Sequence, residues 1–254
     1  TKRKSKMKDI SVVIPVYNDE EVLTELYCRL NRGLKVISPN YEIIFIDDGS
    51  NDKSLDVLQD LQFADHRIRI IRLARNFGQS NAIAAGLEQS QGEFIVIMDS
   101  DLSDRPEDIS SLLEVLNKND VEMVIAQRLE RNDKWINRSL SKVFFMLSNL
   151  LTNIKHPRNV GVFRILKRSG YQKVCKQPDL NGTILSRFYQ AGISYETAVI
   201  PKDPRYAGSS GYTFKKKLYL AMDRLLPHMK HPAMRQSRDP YFVVKEIIDI
   251  RDTK

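Results

Sequence analysis

Asp99 and Asp101 are the pair whose types and spacing most directly suggest chemistry. They follow Phe94-Ile95-Val96-Ile97-Met98, an apolar run that suits a strand buried on both faces and is too short for a helix. Spaced i and i+2 in extended geometry, both carboxylates point the same way. Held about 5 Å apart, they repel by roughly 3 kcal/mol at an effective dielectric near 20. A hard divalent cation, Mg2+ or Mn2+, would remove that repulsion, and such a cation typically carries the phosphates of a nucleotide. A polar turn after a strand explains the same residues without chemistry, because Asp and Ser are frequent there. The surrounding sequence has to decide.

The elements that must carry this pair repeat one unit. Residues 10–16 read as an apolar strand, closed by Pro15 and by Tyr17-Asn18. Asn18 or Asp19 is placed to cap a helix over 20–37, with Leu23, Leu26, Tyr27, Leu30 and Leu34 on one face. A second strand over 41–46 ends in Asp47-Asp48-Gly49-Ser50, and a helix over 53–61 follows with Asn51 or Asp52 as its cap. A third strand, 68–73, leads into the loop Arg75-Asn76-Phe77-Gly78-Gln79 and an Ala-rich helix over 80–89. Pro106 opens a helix to about residue 117, and 121–127 is a fifth strand. This alternation predicts an α/β fold: a doubly wound, mostly parallel sheet with helices on both faces. Arg69 and Arg72 make the third strand the most polar and place it nearer an edge.

In such sheets ligands bind beyond the C-terminal strand ends. Those ends carry Tyr17, Asn18, Glu20, Asp47, Asp48, Arg75, Asn76, Asp99, Asp101, Gln127 and Arg128, nearly all polar or charged. The first strand is not followed by Gly-x-Gly-x-x-Gly, and no Gly-Lys-Ser/Thr loop is present, so a nucleotide must be held in another way.

The 254 residues suffice for one large domain or two small ones, and their formal charge is +8. A basic balance suits nucleic acid, a nucleotide sugar or an anionic membrane surface without choosing among them. No nucleic-acid motif accompanies the dispersed basic residues, so nucleic acid is not expected as a partner. No apolar run of about 18 residues marks a transmembrane helix, and no hydrophobic leader is visible. A cytoplasmic location, with peripheral contact at the membrane face, is the expectation. Cys28 and Cys175 lie far apart without metal-ligand spacing, and His66, His156, His228 and His231 read as surface residues. Basic amphipathic patterns over 134–154 and 212–229 suit helices that pack on the sheet or lie at a membrane interface. Pro227, Pro232 and Pro240 break up the tail. Its apolar end, 241–250, reads equally as an edge strand, a pairing surface for a homo-oligomer or a short helix.

Taken together, Val13-Ile14-Pro15-Val16-Tyr17-Asn18-Asp19-Glu20, Ile46-Asp47-Asp48-Gly49-Ser50-Asn51-Asp52, Arg75-Asn76-Phe77-Gly78-Gln79 and Met98-Asp99-Ser100-Asp101-Leu102 resemble glycosyltransferase family 2, inverting enzymes of GT-A fold. Order and spacing fit across residues 9–128. Phe77-Gly78-Gln79-Ser80-Asn81-Ala82-Ile83, Asp104-Arg105-Pro106-Glu107-Asp108, Val162-Phe163-Arg164-Ile165-Leu166-Lys167-Arg168 and Arg205-Tyr206-Ala207-Gly208-Ser209-Ser210-Gly211-Tyr212-Thr213 are similar to the polyprenyl-phosphate branch. That branch includes dolichyl-phosphate mannose synthase and bacterial undecaprenyl-phosphate sugar transferases.

The resemblance implies a GT-A domain over 9–212, with a nucleotide-sugar-binding half, 9–128, and an acceptor-side half, 129–212. An amphipathic helix and tail would complete the chain over 213–254. Pro15 and Tyr17 would wall the base and ribose, with Asn18 in the same set and Glu20 and Asp48 accepting hydrogen bonds. Asn76 and Gly78 would bring backbone close to the nucleotide. Asp99 would reach the ribose or the metal, and Asp101 would hold Mg2+ or Mn2+ on the diphosphate. Arg128 and Arg205 would neutralise phosphate charge through forked guanidinium groups. Ser209 and Ser210 would donate hydrogen bonds from a loop closing over the donor.

Some positions depart from the branch. Ser103 stands where Gln is usual, Gly211 where a lysine is common, Asn159 where relatives often carry Asp and Val162 where they sometimes do, an Asp there being assigned as base in some of them. A phosphate monoester has its second pKa near 6 and is mostly dianionic at pH 7, so it attacks without a base. A sugar hydroxyl would need one. The expected function is therefore inverting, metal-dependent transfer of a sugar from a nucleotide diphosphate, UDP before GDP, to a polyprenyl phosphate in cell-envelope assembly. Transfer to a hydroxyl of a surface polysaccharide or lipid-linked sugar is the first alternative. A catalytically weak nucleotide-sugar-binding partner protein is the second.

Overall fold

The computed structural model describes residues 8–128, 160–177, 183–200 and 242–249. Strands β1 (Lys8–Val16), β2 (Tyr41–Asp47), β3 (Ile68–Leu73), β4 (Gly92–Ile97), β5 (Met123–Arg128), β6 (Val160–Lys167), β7 (Tyr195–Ile200) and β8 (Val244–Ile248) form one sheet in the order β7-β5-β6-β4-β1-β2-β3-β8. The pairs β1·β2, β1·β4, β2·β3 and β5·β7 are parallel; β6 runs antiparallel between β4 and β5, and β8 runs antiparallel along β3. The apolar end of the tail is therefore an edge strand. The patterns over 134–154 and 212–229 lie outside the described residues.

Alternation of side chains builds a core on each face. Val12, Ile14 and Val16 of β1 pack with Ile43 and Phe45 of β2 on one face, under α1 (Leu23–Ile37), α2 (Ser54–Ala64) and α4 (Ile109–Lys118). Val13, Ile44 and Ile46 face the other way, against α3 (Gln79–Gln89), α5 (Arg168–Cys175) and α6 (Ile184–Gln190). Leu23, Leu26, Leu30 and Leu34 are fully buried, as their spacing predicts. At about 1.5–3 kcal/mol each, they outweigh the cap that α1 lacks.

Several boundaries differ from the sequence reading. Helix α1 begins at Leu23 and not at Glu20, because Asn18 and Asp19 direct their side chains to other loops; its N-cap is Val22, without a side-chain bond. Helix α2 starts at Ser54, where Asp52 Oδ1 accepts the Ser54 N–H at 3.0 Å, and runs on to Ala64. Strand β4 stops at Ile97 and the chain bends from Ser100, so Asp99 and Asp101 stand on a turn beyond the strand. Pro106 opens a 3₁₀ turn, Pro106–Asp108, that leads into α4. Strand β3 lies near an edge of the sheet, with β8 beyond it, yet Arg69 is buried. It is 5% exposed, and its charge is answered by Glu42 (3.4 Å) and Asp249 (3.0 Å).

Pro15 decides where β1 and β4 part. Val13 C=O accepts the Met98 N–H at 3.2 Å, and Val16 C=O accepts the Asp48 N–H at 2.9 Å. Odd positions of β1 thus turn toward β4 and even positions toward β2. Pro15 falls on the β4 side and has no N–H to give. Pairing with β4 ends at Val13, whereas pairing with β2 continues to Val16.

The 3₁₀ turn before α4 is anchored to α1 by Arg29, which donates to Glu107 Oε1 at 2.9 Å and Oε2 at 2.7 Å. That hydrogen-bonded guanidinium holds the Glu107 carboxyl below its ordinary value of 4.5. A depressed carboxyl contributes stability above its unfolded pKa and loses it as pH falls through the folded value. Replacing Glu107 with Gln should therefore lower the urea midpoint at pH 7, with the difference from wild type shrinking as pH falls below 4.5 and the carboxyl takes up its proton.

Candidate functional site

Two loops are locked together at the ends of β2 and β3. Asp48, 3% exposed, accepts the Phe77 N–H on Oδ1 at 2.7 Å and the Gly78 N–H on Oδ2 at 2.9 Å. Burial pushes its carboxyl up from 3.8, those two bonds pull it back, and the charge of Asp47 adds to the rise. Gly49 has φ +73, and a Cβ there would lie 2.7 Å from the carbonyl carbon of Arg75 and 2.8 Å from the Asn76 nitrogen. Only glycine fits both the conformation and the approach. Gly78 has φ +90 with open space where a Cβ would be, at the start of α3. Asn76 is exposed, and the Arg75 guanidinium lies 4.3 Å from the centre of the Phe77 ring.

The β1 end is tied to the β2 loop by reciprocal bonds. Asn18, left-handed at φ 56, takes the Ser50 hydroxyl oxygen with its N–H at 3.1 Å, and its Oδ1 accepts the Asn51 N–H at 2.8 Å. Glu20 Oε2 accepts the Lys53 N–H at 2.7 Å while its own N–H donates to Asp52 Oδ2 at 3.2 Å. Pro15 is buried inside the sheet, and Tyr17 is 43% exposed just past it.

On the other side of the gap stands the turn after β4. Asp99 Oδ1 accepts from Gln79 Nε2 at 2.6 Å, and Asp101 Oδ1 accepts the Ser103 N–H at 2.9 Å. Ser100, between them, donates its hydroxyl to Asp19 Oδ2 at 2.6 Å. Burial raises the Asp19 carboxyl above 3.8; the bonds from Ser100 and from the Tyr17 N–H oppose this, and the charges of Asp101 and Asp52 reinforce it. The structure thus gathers Tyr17, Asn18, Glu20, Asp48, Asn76, Gly78, Asp99 and Asp101 at one rim of the sheet. Arg128 ends β5; Arg205, Ser209, Ser210 and Asn159 lie outside the described residues, and Val162 is a half-buried residue of β6. Asp19 and Gln79 carry more of the site than their sequence context indicated. Asp19 looked like a helix cap, and no spacing rule links it to Ser100.

Among the described residues, no group of three or more His, Cys, Asp or Glu side chains is placed to hold a metal ion. The Asp99/Asp101 pair still fits Mg2+ or Mn2+, which bind through one or two hard carboxylates and complete their shell with substrate phosphates and water.

Residues 11–175 match the profile of glycosyl transferase family 2. The chain belongs to this family. It is 34% identical over 223 residues to the uncharacterized glycosyltransferase YkcC of Bacillus subtilis (strain 168), covering 87% of this chain and 69% of that one. Over 227 residues it is 32% identical to the undecaprenyl-phosphate 4-deoxy-4-formamido-L-arabinose transferase of Proteus mirabilis (strain HI4320), covering 87% and 68%. Among solved structures, the mannosyltransferase PcManGT from Pyrobaculum calidifontis, in complex with GDP-Man and Mn2+, superposes with TM-score 0.60 at 17% identity, covering 93% of this chain and 67% of that one. TarS 1-349 of S. aureus, in complex with UDP-GlcNAc, gives TM-score 0.54 at 18% identity, covering 84% and 64%. These likenesses establish the GT-A fold for the family 2 chain. All four proteins are longer, and this chain spans about two thirds of their length.

The double bond to Asp48 sets a testable expectation. Asp48→Ala should leave the Phe77 and Gly78 amides exchanging with solvent far faster, at a cost of about 2 kcal/mol in stability. Asp48→Asn, which keeps one acceptor, should fall between. Hydrogen exchange and urea unfolding measure both.

Proposed function

We propose that this family 2 chain transfers a sugar, with inversion, from a nucleotide diphosphate donor to a polyprenyl phosphate. The observation that carries the reading is the Asp99/Asp101 pair on the turn beyond β4, just past the point where β1 and β4 stop pairing. The name of the Proteus relative supports the acceptor class. The UDP-GlcNAc and GDP-Man complexes of the neighbours support a nucleotide sugar, with UDP the first choice.

Pro15 and Tyr17 form the wall for base and ribose, and Asn18, Glu20 and Asp48 supply polar contacts around it. Asn76 and Gly78 let the donor approach backbone, where the absence of a side chain on Gly78 leaves room. Asp99 and Asp101 hold Mg2+ or Mn2+, whose contribution when bound is to neutralise charge on the departing diphosphate. Arg128 and Arg205 assist with phosphate charge, and Ser209 and Ser210 close over the donor. An acceptor phosphate oxygen bonds to the anomeric carbon as the bond from that carbon to the diphosphate oxygen breaks, releasing nucleoside diphosphate. The acceptor arrives as a dianion, so Val162 and Asn159 need supply no base. Residues 9–128 serve the donor and 129–212 the acceptor, and a lipid-linked acceptor brings the protein to a membrane surface. Among the described residues, no helix is long and apolar enough to cross a membrane.

Incubation with a panel of nucleotide sugars, undecaprenyl phosphate and Mn2+ should release nucleoside diphosphate and yield an acid-labile lipid-linked sugar. Asp101→Asn should lower kcat by about 100-fold. Release that requires a hydroxyl acceptor would move the reading to polysaccharide assembly, and absence of any transfer would leave a binding protein.

A further inference from the structure

We propose that Asp19 and Ser100 form a latch that presets the turn carrying Asp99 and Asp101, which makes both of them positioning residues for the metal-bound diphosphate. This rests on the nucleotide-sugar reading of the site. Ser100 is the middle residue of the triplet and is only 6% exposed; its hydroxyl spans 81 positions of sequence to reach Asp19 Oδ2 at 2.6 Å. Asp19 is itself pinned. The Tyr17 N–H donates to the same oxygen at 3.3 Å, and the Asp19 N–H donates at 2.9 Å to the hydroxyl of Ser54, a fully buried residue at the start of α2.

The bond therefore crosses the gap that Pro15 leaves, from the loop after β1 to the turn after β4, beyond the last ladder position at Val13. Fixing the middle residue fixes the backbone from which both flanking carboxylates project. The far end of the turn is held as well. Leu102 is 1% exposed and left-handed at φ 56, a conformation that a leucine keeps only when its surroundings impose it. A turn held at both ends presents its carboxylates without having to order them when ligand arrives, and preorganisation of that kind raises affinity.

The test is calorimetry of the full chain with UDP and GDP, with and without Mn2+, and with the corresponding nucleosides. Ser100→Ala should weaken Mn2+-dependent diphosphate binding by about tenfold and leave nucleoside affinity within about twofold. Ser100→Thr, which keeps the hydroxyl, should restore it. Asp19→Asn, which keeps a carbonyl acceptor, should lose less than Asp19→Ala, and these variants decide the matter even if Ser100→Ala folds poorly. Equal weakening of nucleoside and diphosphate binding would mean general loosening and overturn the latch. So would a Ser100→Ala protein that binds like wild type while Asp19→Asn loses the metal-dependent part. A wild-type chain with no Mn2+-dependent diphosphate binding overturns the functional reading, whereas wild-type binding with an indifferent Ser100→Ala overturns the latch alone.

Discussion

The parting of β1 and β4 is the constraint on which the site depends. The chain lays β2 and β3 successively on one side of β1, then crosses to put β4 on the other. Loops leaving β1 and β4 must diverge, and the crevice between them is where open α/β sheets take ligands. Pro15 sharpens the divergence. A residue with an N–H at that place could extend the ladder toward β4; proline ends it while Val16 remains paired to β2.

Around that gap the loops are ordered chiefly by carboxylates and amides accepting backbone N–H groups. Asp47 takes Ser50, Asp48 takes Phe77 and Gly78, Asn18 takes Asn51, Glu20 takes Lys53, and Asp101 takes Ser103. Such bonds satisfy loop amides that have no strand partner and fix the loops relative to one another. They also concentrate negative charge at one rim of a chain whose overall charge is +8. An anionic diphosphate placed there requires cations, which is the electrostatic reason for a divalent ion and arginines in the proposed function. The opposite end of the sheet is built differently. Ser11, Glu42 and Arg69 form a buried polar cluster with the Gln91 and Gly92 amides, tying the starts of four strands.

Much of this was legible in the sequence, for physical reasons that can be named. Apolar runs bounded by Asp, Gly and Pro are hard to place except as buried parallel strands, so β1 to β5 fell near their expected positions. The leucine spacing of α1 likewise admits one face. Helix starts were misread because Asn18 and Asp19 have the chemistry of caps but bond to partners far along the chain. The polar third strand does lie next to the sheet edge, but the burial of Arg69 was hidden because its partners, Glu42 and Asp249, lie on other strands or beyond them. The tail could not be assigned locally, since β8 exists only through its pairing with β3. The Ser100–Asp19 bond was hidden for the same reason.

The β1/β4 gap is proposed to hold a diphosphate through a cation on the Asp99/Asp101 turn. Anomalous diffraction at the manganese edge, from crystals grown with a nucleoside diphosphate and Mn2+, addresses it directly. A peak is expected at bonding distance from the Asp101 carboxylate and from diphosphate oxygens, with the base against Pro15 and Tyr17. A nucleotide bound elsewhere, or bound in the gap with no manganese at Asp101, would contradict it.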